Sequence, residues 1–163
     1  MIRKAEIKDA SRLAEILIFA KRTAYRQIFN NDNVSFNEMQ VLDLALDFRD
    51  KESELDDLYV YDDGIVKGLI KWGKADNKGT ENSIEIFELY VDTFFQGQGI
   101  GSILIKDCIE HAKKQNIRKI FLWVLEKNNT ARKIYEKHKF KPDGASKFED
   151  GTTEITLRYK IEI

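Results

Sequence analysis

Gln96-Gly97-Gln98-Gly99-Ile100-Gly101-Ser102 sets three glycines between a strand-like apolar run, Ile84 to Val91, and the start of an amphipathic helix. Without side chains at 97, 99 and 101 the backbone can approach a ligand closely. Its N–H groups, together with the positive end of the following helix, can then surround phosphate oxygens. Three readings of this loop compete. A Walker-type loop needs Lys-Ser/Thr after its last glycine, but Gly101 is followed by Ser102-Ile103, with no lysine for the terminal phosphates. A dinucleotide fingerprint G-x-G-x-x-G maps to Gly97, Gly99 and Ser102, with Glu126 further on at a strand end. However, only about 60 residues follow the loop, where a doubly wound half would need several more strand–helix units. The third reading is a glycine-rich turn that holds no ligand.

Outward from the loop, the chain alternates helices and strands. Ile2 to Ala5 suits a first strand, and Asp9 is placed as N-cap of a helix carrying Ala10, Leu13, Ala14, Leu17 and Ile18. Ser35, with Glu38 three residues on, reads as the cap of a second helix bearing Met39, Leu42, Ala45 and Leu46. The acidic 50–57 stretch reads as a solvated connection. Leu58–Tyr61 and Ile65–Ile70 flank Asp62-Asp63-Gly64, whose Asp-Gly pair suits a tight hairpin. After the glycine loop, Ile100, Ile103, Leu104, Cys108, Ile109 and Ala112 mark one helix face, opposite Lys106, Asp107, Glu110 and Lys113. A strand over Ile117 to Val124 and a helix from Asn129 to His138 follow, the latter with Ala131, Ile134 and Tyr135 inward. Pro142 punctuates the chain. The turn Phe148–Thr152 joins two last strands, and Ile155, Leu157, Tyr159 and Ile161 alternate with Thr156, Arg158 and Lys160, predicting one buried face.

Composition narrows the class. A chain of 163 residues suits one domain able to bury a core without disulfides or metal. Lys+Arg of 27 against Asp+Glu of 28 leaves a net charge of −1, with no global basic footprint for nucleic acid. Cys108 is the only cysteine, so an internal disulfide is excluded and a reducing compartment fits. No apolar run approaches the roughly 20 residues of a membrane span, and the first residues lack a signal-peptide core. A soluble cytoplasmic protein is expected. No metal-binding spacing of the His-Glu-x-x-His kind exists. His111 falls on the polar side of its helix, and His138 reads as an edge-of-core ring.

The glycine loop is joined downstream by Asn128-Asn129-Thr130-Ala131-Arg132-Lys133-Ile134-Tyr135, followed by Lys139-Phe140. The pair of motifs resembles the GNAT superfamily of acyl-CoA-dependent N-acetyltransferases. Its coenzyme A loop, Gln/Arg-x-x-Gly-x-Gly/Ala, is matched by Gln96, Gly99 and Gly101. Its later segment, Asn-x-x-Ala-x-x-x-Tyr then Gly-Phe, is matched by Asn128, Ala131, Tyr135 and Phe140, with Lys139 in place of the usual glycine. The resemblance implies an α/β (α+β) fold: a mixed, largely antiparallel twisted sheet of about seven strands flanked by about four helices.

The resemblance also implies roles. The cofactor's pantetheine arm would pair with the backbone of Leu89-Tyr90-Val91 where the strand splays from its neighbour. The pyrophosphate would rest on Gln96, Gly97, Gln98, Gly99, Ile100, Gly101 and Ser102, and Asn128 would help align the cofactor or cap its helix. Tyr135 would be the general acid for the departing thiolate, and Glu85, ahead of Glu88, the general base. The odd separation of these two glutamates puts them on opposite faces of an unbroken strand. Ala20–Phe29 resembles the end of the first helix in a branch that includes amino-acid N-acyltransferases, which makes Tyr25, Arg26 and Phe29 candidates for the acceptor pocket. The expected activity is direct acetyl transfer from acetyl-CoA to a primary amine in a ternary complex, without metal. Another acyl-CoA donor and a non-catalytic acyl-CoA or nucleotide-binding module are the alternatives. Arg22 and Arg26 suit a carboxylate-bearing acceptor; Glu85, Glu88 and the Asp62-Asp63 turn suit a polyamine. A homodimer is common on such a scaffold.

Overall fold

The computed structural model describes residues 1–75 and 82–163. Its elements, in chain order, are β1 (Ile2–Lys4), α1 (Ala10–Phe29), α2 (Val41–Asp50), β2 (Leu58–Asp62), β3 (Val66–Lys74), β4 (Ser83–Val91), α3 (Ile100–Lys114), β5 (Lys119–Leu125), α4 (Asn129–Lys137), β6 (Lys141–Phe148) and β7 (Ile155–Glu162). The strands form one seven-stranded sheet in the order β1-β2-β3-β4-β5-β7-β6. It is mixed, as expected: β1–β2, β2–β3, β5–β7 and β6–β7 pair antiparallel, whereas β4 and β5 pair parallel. The chain divides into two compact units, Met1–Lys71 with Glu88–Leu104 and Trp72–Phe87 with Ile105–Ile163, so the boundary falls inside β3, β4 and α3.

In the first unit, α1 buries Leu13, Ala14, Ile16 and Leu17 together with Leu58, Val60 and Leu69 of the β2–β3 hairpin. Asp9 does precede α1, but its carboxylate makes no cap bond to that helix. A 3₁₀ turn at Ile7–Asp9 already leads the chain in, and Asp9 instead accepts from Arg3 at 2.7 and 2.9 Å and from the Glu6 N–H at 2.9 Å. Ser35 is likewise no N-cap. Residues Val34–Glu38 form one wide π-helical turn, α2 begins only at Val41, and its N-cap is Gln40. Arg22 fixes that turn, donating to the Ser35 carbonyl at 2.7 Å and to the Met39 carbonyl at 2.8 Å. The buried stripe of α2 runs through Ala45 and Phe48 and leaves Leu42 and Leu46 exposed. The acidic connection hides one anchor, Leu55, in a short 3₁₀ turn. The hairpin is also looser than a two-residue turn: Asp62 pairs with Val66, and only Gly64 takes a positive φ, of 107°.

In the second unit, α3 buries Ile105, Cys108 and Ala112, and β5 buries Ile120, Phe121, Leu122, Val124 and Leu125. Ile103, which is in the first unit and was expected on the buried face of α3, is exposed. β7 departs from simple alternation: Ile155 is exposed, while Thr156 is buried with its hydroxyl donating to the Lys147 carbonyl at 3.2 Å. Pro142 does not end an element but lies inside β6, the outermost strand, where a bulge separates Pro142 from Ser146. An edge strand tolerates the missing N–H.

The turn after α4 explains the missing glycine. Lys139 adopts φ 68°, and the other non-glycine residues at positive φ are Asn30, Asp57, Asn82 and Asn116, all of the types that tolerate it. The bend is locked by Lys139 N–H donating to Glu136 O at 2.9 Å and Phe140 N–H donating to Tyr135 O at 3.1 Å, which delivers Phe140 into the core. Lys139→Gly is therefore expected to stabilise the protein by about 0.5–1 kcal/mol, the steric relief exceeding the entropy cost of glycine. A urea midpoint at or below that of the parent chain would contradict this account.

Candidate active site

The glycine loop starts from a buried acid. Asp92 immediately follows β4, caps the 3₁₀ turn Thr93–Phe95 by accepting from the Phe94 N–H at 2.8 Å, and takes a second bond from Arg12 of α1 at 2.5 Å. Arg12 in turn donates to the Val66 carbonyl at 2.9 Å and to Glu15 at 2.6 Å. The Asp92 N–H donates to Lys67 O at 2.9 Å. One carboxylate thus fixes where β4 ends relative to α1 and β3. Neither Arg12 nor Asp92 stood out in the sequence; the only signal was an Asp two residues before an aromatic pair, an ordinary Asx turn.

From there the Gln96 amide reaches back to Val91 O at 3.1 Å, and the chain turns through Gly97 at φ 77° and Gly99 at φ 84°. These two glycines are required by the backbone itself. Gly101 is different: it is helical, and a Cβ there would sit 3.7 Å from Val91 Cγ2, an ordinary contact. The first helical hydrogen bond of α3 runs from Ile103 N–H to Gly99 O at 3.0 Å, so the N–H groups of Ile100, Gly101 and Ser102 precede the helical ladder. Gln96, Gly97, Gln98 and Gly99 are exposed, while Ile100 is buried. A glycine not singled out by sequence seats this turn. At Gly68 of β3 a Cβ would lie 3.1 Å from both Ile100 Cγ2 and Tyr90 O.

The parallel ladder of β4 with β5 runs from Ser83↔Lys119 to Ile86↔Leu122. Glu85 lies inside it, opposite Phe121; Glu88, Leu89, Tyr90 and Val91 lie beyond its last pair. Tyr90 packs against the core under α1, and its hydroxyl is 3.3 Å from that of Tyr25. Val91 packs toward Gly101 of α3, on the other side. In strand periodicity Glu88 shares the Tyr90 face and Glu85 does not. Tyr25 and Phe29 stack edge to face at 5.9 Å, whereas Arg26 is exposed and paired with Asp32 at 2.8 and 3.0 Å.

The second unit holds Asn128 and Tyr135. Asn128 caps α4, its side-chain oxygen accepting from the Ala131 N–H at 3.1 Å. Tyr135 is buried near the end of that helix, its ring 6.0 Å from that of Phe140. The helix is fastened by Tyr159, a fully buried residue of β7 whose hydroxyl accepts from Arg132 at 2.9 Å and donates to Glu136 at 2.8 Å. In the sequence Tyr159 reads only as an apolar position. Cys108 is fully buried, and burial pushes its thiol pKa up to about 12. His111 is not on an open polar face: its ring lies 4.7 Å from that of Trp72. Burial, with Lys106 and Lys137 adding to it, holds His138 below the usual histidine pKa. Among the described residues no His, Cys, Asp or Glu cluster gathers that could hold a metal ion, and no helix is long and apolar enough to cross a membrane.

Residues 22–140 match the sequence profile of the acetyltransferase (GNAT) family. An N-acetyltransferase of Methanocaldococcus jannaschii is 45% identical over 53 residues, a stretch that takes in 32% of this chain but 24% of that protein. The chain thus spans only about a quarter of that relative's length. The paiA N-acetyltransferase of Thermoplasma acidophilum, solved with coenzyme A, superposes with a TM-score of 0.72 at 22% identity, covering 99% of this chain and 98% of that one. The yncA protein of Salmonella typhimurium, solved with acetyl-CoA, gives 0.68 at 18% identity over 99% and 92%. At these identities the likeness is one of fold.

Because Asp92 carries both the Arg12 bond and the turn cap, Asp92→Ala is expected to cost about 1.5–3 kcal/mol of stability. Amide exchange across Gln96–Ser102 should accelerate more than exchange across β2. Uniform acceleration would show that the pair supports the whole unit and not the loop.

Proposed function

The chain belongs to the acetyltransferase (GNAT) family, and from that premise we propose that it moves acetyl from acetyl-CoA directly to a primary amine within a ternary complex. The observation that carries this reading is the loop Gln96–Ser102. Two left-handed glycines turn it, and three N–H groups precede the helical ladder at the start of a fifteen-residue helix. That is a built anion cradle, where donors and the helix dipole both favour a pyrophosphate. The coenzyme A and acetyl-CoA bound by the Thermoplasma and Salmonella proteins of the same fold support this choice of guest.

Leu89–Val91, beyond the β5 ladder, offer backbone groups to the pantetheine arm, and Asn128 sets the start of α4. Acyl transfer to an amine needs a neutral nucleophile, stabilisation of the oxyanion and a proton for the thiolate. Tyr135 is proposed as the proton donor. For the base, the family resemblance favours Glu85, while the shared face with Tyr90 favours Glu88. Substituting each by Gln separates them: the base is the one whose loss lowers kcat by the larger factor with the acetyl-CoA dissociation constant unchanged. Burial, which pushes the Cys108 thiol pKa up to about 12, supports direct transfer over a Cys108 acyl-enzyme.

Release of free thiol from acetyl-CoA across a panel of amines tests the reading. Cofactor binding without thiol release for any amine would leave a binding module instead. Gly101→Val is the clean probe of the cradle, because position 101 carries no left-handed strain. A large rise in the acetyl-CoA dissociation constant is expected by calorimetry with the circular-dichroism spectrum retained, and unchanged affinity would refute the assignment. Tyr135→Phe should lower kcat about 10²-fold, as loss of a general acid does. Full retention of kcat would reduce Tyr135 to packing, and acetyl found on Cys108 by mass spectrometry would refute direct transfer.

A further inference from the structure

Helix α4 is short and polar. Among its described residues only Tyr135 is buried, so apolar burial alone cannot fix how far the helix is turned about its axis. A polar clamp within the same unit does so. Tyr159, fully buried in β7 opposite Leu122 of β5 and Pro142 of β6, accepts from Arg132 Nε at 2.9 Å and donates to Glu136 Oε1 at 2.8 Å. Arg132 also donates from Nη1 to the Glu126 carbonyl at 3.0 Å, which ties α4 to the residue that follows β5. Arg132 and Glu136 stand one turn apart and bracket Tyr135 in the sequence. One phenol, set in a strand paired on both sides, thus grips the helix before and after the proposed proton donor.

A tyrosine hydroxyl lies at the end of a long lever. With Cα atoms about 2.3 Å from the helix axis the hydroxyl stands roughly 8 Å out, so a turn of about 10° carries it roughly 1.4 Å. A displacement of about 1 Å at a reacting group costs on the order of 10²-fold in rate. A buried hydroxyl deprived of its partners is also costly, so the clamp resists such a turn. We infer that Tyr159 is a positioning residue for proton transfer: through Arg132 and Glu136 it sets the rotation of α4, and with it the place of the Tyr135 hydroxyl. The inference rests on the transferase reading and on Tyr135 as its proton donor, and it gives a mechanistic use to a buried phenol that otherwise serves packing alone.

A double-mutant cycle on thiol release from acetyl-CoA tests it. Tyr159→Phe keeps the ring and removes the clamp, so kcat is expected to fall at least about tenfold, with the acetyl-CoA dissociation constant unchanged by calorimetry. In the Tyr135→Phe background the same substitution should change kcat less than about twofold, because no hydroxyl is left to position. Glu136→Gln, which retains an acceptor oxygen, should keep most of the activity that Glu136→Leu loses. Should Tyr159→Phe not fold, Arg132→Met carries the same cycle. Equal losses in both backgrounds, or a kcat unmoved by Tyr159→Phe, would overturn the inference and leave the transferase reading intact. Full kcat in Tyr135→Phe would overturn it together with the proton donor. Should no amine release thiol, the transferase reading fails, and the clamp is read alone from the ring resonances of isotope-labelled tyrosines, assigned with Tyr135→Phe. A Tyr135 resonance shifted by Arg132→Met supports the hold on that side chain, and one that stays in place overturns it.

Discussion

The buried carboxylate of Asp92 is the constraint on which the first unit turns. It closes the last strand before the loop, caps the turn that redirects the chain, and holds a guanidinium that also grips β3. A buried charge is tolerated only when paired and hydrogen-bonded, and here one bond goes to the Phe94 N–H and the other to an arginine that itself holds the Val66 carbonyl. The loop that follows therefore begins from a defined point. Its two left-handed glycines, the Gln96 amide bonded to Val91 O and the start of α3 then orient the N–H groups.

The fold was legible where apolar spacing is long and regular. The strand before the loop and the helices after it lie close to their expected bounds. Misreadings arose where a polar side chain overrides a local pattern. Ser35 and Glu38 spell a capping box, yet Arg22 reaches across from α1 to take the Ser35 and Met39 carbonyls, and the helix starts later. Asp9 precedes a helix but answers to Arg3. Such long-range pairs leave no periodic trace, which is also why Arg12, Asp92 and Tyr159 escaped notice.

Of the candidate site, sequence could supply residue types but not their commitments. Arg22, Arg26 and Lys21 look alike as basic residues on one helix; only their partners separate two cations held by backbone carbonyls or a carboxylate from one over the Tyr90 ring. Likewise three glycines spaced by one residue look equivalent. Two of them serve a backbone conformation, while the third leaves room beside Val91.

The sheet ends in two unlike but equally poor templates. At one end β1 spans three residues; at the other β6 carries Pro142, which offers no N–H, then a bulge, and lysines at 141 and 147. Short length, a missing donor, broken register and charge are the features that keep an outer strand from recruiting a new one. Copies of this chain that meet in solution are thereby steered away from prolonging the sheet through its edges.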